Sequence, residues 1–133
     1  MNSKRYARAY QNADRQAFAE SDDPHALIAI LFDELLRQMN HFAREVEESS
    51  GKNLEISEHY SRALTILYGL QSSLNFEEGG EIANNLFRLY EYSRQQLLIT
   101  TQSKNLTGLR AAIESLDVIR DAWNQLDAGA KEK

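Results

Sequence analysis

Apolar residues recur at alternating intervals of four and three along four successive stretches of the 133-residue chain. This spacing places them on one face of an α-helix and is typical of helices that pack against nearly parallel neighbours. No stretch alternates apolar and polar residues as a half-buried β-strand would. The only proline, Pro24, can begin a helix, because its missing N–H is not needed in a first turn, and Asp23 can cap that turn. The chain is therefore predicted to be all-α.

The four predicted helices cover residues 24–49, 54–74, 81–101 and 106–127. Their apolar stripes are Ile28, Phe32, Leu35, Met39, Phe42 and Val46 in the first; Ile56, Tyr60, Ala63, Leu67, Leu70 and Leu74 in the second; Ala83, Leu86, Tyr90 and Leu97 in the third, interrupted at Ser93 or Arg94; and Leu109, Ala112, Leu116, Ile119, Trp123 and Leu126 in the fourth. Because the connecting loops are short, neighbouring helices are expected to be antiparallel. Residues 23–133 are thus predicted to form an antiparallel up-down-up-down four-helix bundle.

Two segments outside the predicted helices have distinct compositions. Gly79 and Gly80 precede the third helix and can adopt backbone angles closed to other residues, which predicts a tight turn or a helix cap. Residues 1–22 are polar and contain Tyr6, Tyr10 and Phe18 but no full apolar stripe. They are predicted to form an N-terminal arm or short helix. Our hypothesis is that this arm covers a groove of the bundle as a lid, with Tyr10 as its anchor.

The composition narrows the possible functions. The net charge of −5 argues against nucleic-acid binding, because phosphate recognition needs a basic surface. No run of about 18 apolar residues predicts a membrane span, and the N-terminus lacks the apolar segment of a signal peptide, so we expect a cytoplasmic location without membrane insertion. The absence of cysteine excludes disulfides, thiolate metal sites and cysteine nucleophiles.

The chain contains no recognisable catalytic motif. Di-iron bundles need Glu-x-x-His motifs, and none of the three histidines, His25, His41 and His59, has a glutamate three residues before it. No Gly-x-Ser-x-Gly elbow or phosphate-binding loop is present either. We therefore predict no enzyme activity, no metal and no cofactor. His41 and His59 lie in mid-helix, so a histidine phosphotransfer domain or another helical-bundle signalling domain is the alternative function.

The helices carry more apolar residues than one stripe each requires. The surplus residues are Leu27, Ala29, Ile30, Leu31 and Leu36 in the first helix, Leu64, Ile66 and Tyr68 in the second, and Phe87, Leu89 and Tyr92 in the third. Under one interpretation, wide apolar faces simply fill the core of a small bundle. Under the other, the surplus forms a groove for an amphipathic partner helix, since monomers rarely expose a large contiguous apolar patch without a use.

Motifs along nearly the whole chain resemble those of the FliS family, the flagellin-specific export chaperones. The matching pieces are Tyr10 in "AYQNA", "PHALIAILFDELL" at residues 24–36, Ser73-Leu74, Gly79-Gly80-Glu81-Ile82-Ala83, Asn85-Leu86, Leu89-Tyr90-x-Tyr92, and "IRDAWNQ" at residues 119–125. They occur in the family's order, which makes the resemblance specific. The chain departs from the family's pattern at Asn75, where aspartate is usual.

This resemblance implies a cytoplasmic helical bundle that binds the C-terminal segment of newly made flagellin, one to one. Such proteins prevent premature polymerisation of flagellin and assist its delivery to the flagellar type III export apparatus; the export gate and other flagellar regulators are further partners that the resemblance suggests. The bound segment would wrap the bundle largely as helices in apolar grooves. The partner-binding residues predicted on this basis are Tyr10, Leu27, Ile30, Leu31, Ile82, Leu86, Leu89, Tyr90 and Tyr92.

Overall fold

The computed structural model of the protein describes residues 24–48 and 53–131, and for residues 127–131 it describes the backbone alone. The described part contains four α-helices and no β-strand, so the all-α prediction is confirmed. The helices are α1 (Pro24–Glu48), α2 (Glu58–Ser72), α3 (Phe76–Ser103) and α4 (Thr107–Lys131), with a short 3-10 helix at Leu54–Ile56. The predicted N-terminal arm, residues 1–22, lies outside the described residues.

The four helices form a bundle in which each helix packs against two neighbours. Helix α1 packs against α2 and α4, and α3 packs against the same two helices. The indole N–H of Trp123, near the end of α4, donates to the carbonyl of His25 at the start of α1 over 2.9 Å. At the other end, Arg110 forms an ion pair with Glu47. These two contacts join opposite ends of the two helices, which are therefore antiparallel, as the short loops predict.

The predicted stripes form the core of the bundle, with exceptions at the ends of helices. The fully buried large side chains include Phe32, Leu35, Met39, Phe42, Leu67, Leu70, Leu97, Leu109 and Leu116. Two predicted stripe residues are instead exposed, Ile56 at 78% and Leu126 at 64%. Both follow the periodicity, but they lie at positions where no neighbouring helix covers them. Their assignment to the core was wrong for that reason.

Helix α2 was predicted to begin at residue 54, but it begins at Glu58. The hydroxyl of Ser57 accepts a hydrogen bond from the backbone N–H of Tyr60, and the extended backbone of Ser57 separates α2 from the 3-10 helix. A serine in this position satisfies one of the N–H groups that a helix start leaves unpaired. The 3-10 helix has its own cap, Asn53, whose side chain accepts from the N–H of Glu55. These two caps therefore set where α2 begins, although the apolar periodicity alone predicts an earlier start.

Helix α3 begins at Phe76, earlier than predicted, and is interrupted at the diglycine. Asn75 caps its first turn by accepting a hydrogen bond from the N–H of Glu78 over 3.0 Å. Gly80 then has φ 51° and ψ −122°, outside the helical region, and the regular helix continues from Glu81. Gly80 thus has backbone angles closed to other residues, as predicted, but it lies at a kink within α3 rather than at a tight turn or a helix cap. Asparagine caps helices about as well as the aspartate usual at this position in the resembling family.

A buried serine fills the apparent gap in the α3 stripe. Ser93 is completely buried, and its hydroxyl donates to the carbonyl of Leu89 over 2.8 Å. The hydroxyl is thereby satisfied within its own helix and requires no partner from another. Arg94, the other candidate for the gap, lies partly exposed and pairs with Glu91.

Candidate partner-binding surface

An apolar cleft of about 350 Å³ opens at the end of the bundle where α1 begins and α4 ends. Side chains from all four helices line it, together with the residues between α2 and α3. The apolar and aromatic lining residues are Ile28, Phe32, Leu70, Leu74, Ile82, Ala83, Leu86, Tyr90, Ile119 and Trp123. A cleft of this size and composition can accept large apolar side chains of a partner.

The interrupted start of α3 forms one wall of this cleft. Asn75, Glu78 and Gly79 all line it. A Cβ atom on Gly79 would lie 2.9 Å from the Cβ of Ala83, too close for an ordinary contact, so the wall needs glycine at that position. The positive φ of Gly80 turns this wall away from the axis of the remaining helix. The diglycine therefore shapes the cleft through backbone geometry.

Trp123 lines the cleft on the side where α1 meets α4, and it packs against His25 at the start of α1. Their rings stack with centroids 4.0 Å apart and an interplanar angle of 5°. The indole N–H also donates to the His25 carbonyl, so ring and backbone together fix the two helix ends. Trp123 was predicted to be a stripe residue of the core, whereas its side chain is partly exposed and lines the cleft. The sign of this exposure in the sequence is that Trp123 occupies one of the last positions of the apolar stripe of α4.

Three of the predicted partner-binding residues lie at the cleft. Ile82 is 71% exposed at its rim, Leu86 is half-buried in its wall, and Tyr90 is 2% exposed at its back. The ring of Tyr90 lies 6.3 Å from that of Phe32. Burial raises the pKa of the Tyr90 phenol to about 12, because the charged phenolate is disfavoured away from water. Tyr90 therefore offers a partner much less surface than Ile82 does.

Leu89 and Tyr92 lie further along α3, beyond the cleft. Leu86, Leu89 and Gln96 lie along one row of α3, and the side chain of Gln96 lies against Gly108 in the first turn of α4. This row therefore faces α4. Leu89 is half-buried, and Tyr92 is exposed on the outer side of the helix. Both extend the apolar surface from the cleft along the α3–α4 side.

Leu27, Ile30 and Leu31 lie on a different side of the bundle. Leu27 and Leu31 share a row with Gln38, whose side chain contacts His59 of α2, so that row faces α2. Leu27 is buried and Leu31 half-buried, while Ile30 is 61% exposed. The predicted set is thus divided between the α1–α2 and α3–α4 sides. Tyr10, its remaining member, lies outside the described residues.

A third apolar surface lies where α2 meets α3. Tyr68, Phe76 and Phe87 are exposed, and the rings of Phe76 and Phe87 meet edge to face with centroids 6.0 Å apart. Tyr68 and Phe87 each lie one turn before a member of the Gln71–Glu91 hydrogen bond that joins the two helices. Phe76 was missed in the sequence analysis because it was assigned to the loop before the diglycine.

The side where α1 meets α4 carries ion pairs instead. Arg120 of α4 pairs with Asp33 of α1 at 3.3 Å and with Asp117 of its own helix at 2.7 Å. Arg110 and Glu47 form a second interhelical pair on this side. Among the described residues, the ion pairs that join two helices lie on this side, whereas Arg37–Glu34 and Arg94–Glu91 each pair within one helix.

The described residues contain no arrangement that suggests catalysis. His41 and His59, the candidates for phosphotransfer, are both half-buried and stack on one another with centroids 4.9 Å apart. A ring nitrogen of His59 is also bonded to Gln38, whereas phosphotransfer requires an exposed histidine. Within the described ranges, no three metal-ligating side chains of His, Cys, Asp or Glu come together. None of the helices described is long and apolar enough to cross a membrane.

Comparison with known proteins agrees with this architecture. The sequence model of a family described as "Flagellar protein FliS" matches residues 6–130. The flagellar secretion chaperone FliS of Salmonella typhimurium is 31% identical over 124 residues, which are 92% of this chain and 90% of that protein. The flagellar secretion chaperone FliSB of Pseudomonas aeruginosa is 29% identical over 126 residues, covering 93% of this chain and 97% of that protein. The chain therefore belongs to the FliS family of flagellar proteins.

Proposed function

We propose that the protein is a cytoplasmic chaperone of flagellar secretion that binds the C-terminal segment of flagellin, one to one. In this role it prevents premature polymerisation of flagellin and assists its delivery to the flagellar type III export apparatus. The observation that supports this best is the apolar cleft at the bundle end, which continues into exposed apolar side chains on three sides. The relatives named as flagellar secretion chaperones cover nearly the whole chain and support the same role. The proposed role is binding, not catalysis.

The division of the apolar surface favours a long partner segment. The row of Leu27 and Leu31 and the row of Leu86 and Leu89 lie on opposite sides of the bundle. One partner can contact both only by passing around it. An amphipathic helix laid in a groove is the usual way to bury such rows, and a segment that folds as it binds can follow a curved path. We therefore propose that the flagellin segment gains helix on binding and buries apolar surface, which gives a negative heat-capacity change.

The N-terminal arm is proposed to compete with flagellin for this surface. Residue 24 begins α1, and its neighbour His25 stacks on Trp123 at the edge of the cleft, so the first described residue of α1 lies at the end of the bundle that carries the cleft. An exposed apolar cleft promotes unwanted association while the partner is absent. We propose that residues 1–22 cover part of it, with Tyr10 as anchor, and that flagellin displaces them. The apparent affinity would then fall by the fraction of molecules in the open state.

The decisive experiment compares two isoleucines that are matched in exposure. Ile82 is 71% exposed at the rim of the cleft, and Ile56 is 78% exposed in the 3-10 helix at the other end of the bundle. Either Ile→Ala change should leave stability nearly unaltered, because neither side chain is in the core. Ile82→Ala should weaken binding of a flagellin C-terminal peptide by about 1–2 kcal/mol, roughly five- to thirty-fold in Kd.

Isothermal titration calorimetry with the purified peptide measures both variants and the heat-capacity change. Ile56→Ala is the control and should bind like the wild type. Equal affinities for the two variants would mean that the flagellin peptide does not bind in the cleft. Absence of binding by the wild-type protein at tens of micromolar peptide would contradict the proposed function itself.

A further inference from the structure

One charged side chain lines the otherwise apolar and uncharged cleft. Among the described residues of the lining, Glu78 alone carries a charge, and the polar residues Ser73 and Asn75 belong to the same segment of chain. Glu78 is exposed, and it stands on the wall that the start of α3 provides. The cleft therefore combines an apolar interior with a single acidic group on one wall.

The backbone of Glu78 is fixed, whereas its carboxylate is not engaged. The side chain of Asn75 accepts a hydrogen bond from the N–H of Glu78 over 3.0 Å, and the carbonyl of Asn75 accepts from the N–H of Gly79 over 2.8 Å. A glutamate at this position often bonds back to the N–H of the capping residue. Here the carboxylate makes neither that bond nor an ion pair with any other described residue. It is therefore available to a partner.

The charged groups around Glu78 do not neutralise it. Glu77 and Glu81 flank it in the chain, and both are exposed. Arg120 lies three residues before Trp123, whose side chain lines the cleft, but this arginine is already paired with three aspartates. The wall thus has an excess of negative charge, which attracts cations and repels anions.

A partner that fills the cleft also removes water from the Glu78 carboxylate. Covering a carboxylate without supplying a cation is costly, so a partner that lacks a positive charge at this point is penalised. We propose that Glu78 selects a flagellin segment in which an arginine or lysine lies one helical turn from the apolar side chain that fills the cleft. This inference rests on the proposed function and adds the chemistry by which the partner is recognised.

The spacing of the cleft residues sets the spacing expected in the partner. Glu78 and Ile82 both line the cleft and are four residues apart in the chain. Residues three or four apart on a helix lie on the same face, with Cβ atoms about 5–6 Å apart. A partner helix laid along this wall can therefore place an apolar side chain beside Ile82 and Leu86 and a basic one beside Glu78. Arginine fits best, because its planar guanidinium can donate to both carboxylate oxygens.

The test compares Glu78→Gln with Glu58→Gln in binding to a flagellin C-terminal peptide. Glu78→Gln removes the charge and keeps the size of the side chain. It should raise Kd roughly two- to fivefold, mainly through slower association, and should weaken the dependence of the association rate on NaCl. Glu58 is the matched control, because it is exposed in the first turn of α2 behind the cap Ser57, at the other end of the bundle. Glu58→Gln should bind like the wild type in stopped-flow and calorimetric measurements.

Variants of the peptide identify the basic residue. Each arginine or lysine of the peptide is replaced by glutamine in turn, and one replacement should weaken binding to the wild type but not to Glu78→Gln. Glu78→Lys should bind best to a peptide with glutamate at that same position. Equal association rates and salt dependence for Glu78→Gln and Glu58→Gln, or no basic position coupled to Glu78, would overturn the inference. If Ile82→Ala still weakens binding in that case, the proposed function stands, whereas absence of wild-type binding would overturn both.

Discussion

Replacement of Gly80 by alanine tests the role of the diglycine most directly. Gly80 has φ 51° and ψ −122°, a conformation that L-residues with a side chain rarely adopt. A Cβ atom built at this position meets no heavy atom within 4 Å. Any cost of the Gly80→Ala change therefore comes from the backbone and not from a clash.

The size of the effect follows from two opposing contributions. Holding a residue other than glycine in such a region costs about 1–3 kcal/mol. Alanine also restricts the unfolded chain, which favours folding by roughly 0.4–1 kcal/mol. The expected net loss of stability is thus about 1.3 kcal/mol from the midpoints of the two ranges, and at most about 2.6 kcal/mol. The protein can escape part of this loss by straightening α3, but the wall formed by Asn75, Glu78 and Gly79 would then move away from the cleft, and flagellin affinity would fall.

Gly69 provides a matched control for this change. It lies inside α2, and a Cβ atom there also meets nothing within 4 Å. Because alanine favours a helix interior over glycine by roughly 1 kcal/mol, Gly69→Ala should stabilise the protein. Urea unfolding followed by circular dichroism measures both variants. If Gly80→Ala is as stable as the wild type and binds the flagellin peptide equally well, the kink has neither the strain nor the role that we assign to it.

Three further predictions concern the core, an alkaline titration and the arm. Leu116 is fully buried, so Leu116→Ala should lower the free energy of unfolding by about 2–5 kcal/mol. Leu126 is exposed, so Leu126→Ala should change it by less than about 0.5 kcal/mol. Equal losses for the two variants in urea unfolding would contradict the placement of Leu126 at the surface. The pKa of Tyr90 is raised to about 12 from about 10 in the unfolded chain, so its contribution to stability should be complete below about pH 10 and lost as pH rises toward 12. Tyr90→Phe should reduce that alkaline loss, and an unchanged pH profile would refute the assignment. A chain lacking residues 1–22 should keep its helical signal, bind flagellin peptide more tightly and bind more hydrophobic dye; identical values with and without these residues would reject the lid.

The fold could be predicted because periodicity reports packing directly. A residue such as Leu67 or Leu97 recurs in step with the helix because a neighbouring helix covers that face along its whole length. Helix ends are set by individual hydrogen bonds instead. The side chains of Ser57 and Asn75 each cap a helix at a residue where the apolar pattern gives no sign of a boundary. Stripe positions at the ends, such as Ile56, cannot be assigned to core or surface without knowing where the neighbours stop.

The surplus apolar residues show a second limit of the pattern. Leu36 and Ile66 are buried and simply widen the core, as the first interpretation held, whereas Ile30, Tyr68 and Tyr92 are exposed. Periodicity places a residue on a face of its own helix, but the rotation of that helix against its neighbours decides what the face meets. For the same reason, the sequence could not show that Leu27 and Leu86 lie on opposite sides of the bundle, or that His41 meets His59.

The cleft also explains why core and binding surface could not be separated on the sequence. Leu86, Ile119 and Trp123 occupy stripe positions, yet each lines the cleft. Four helices that continued straight to the same end would bury such side chains between them. Gly80 interrupts α3 six residues before Leu86, and the segment before it forms a wall instead of continuing the helix. The diglycine thus leaves core residues accessible from one end, so substitutions there should alter partner affinity more than substitutions of equally buried residues in the middle of the bundle.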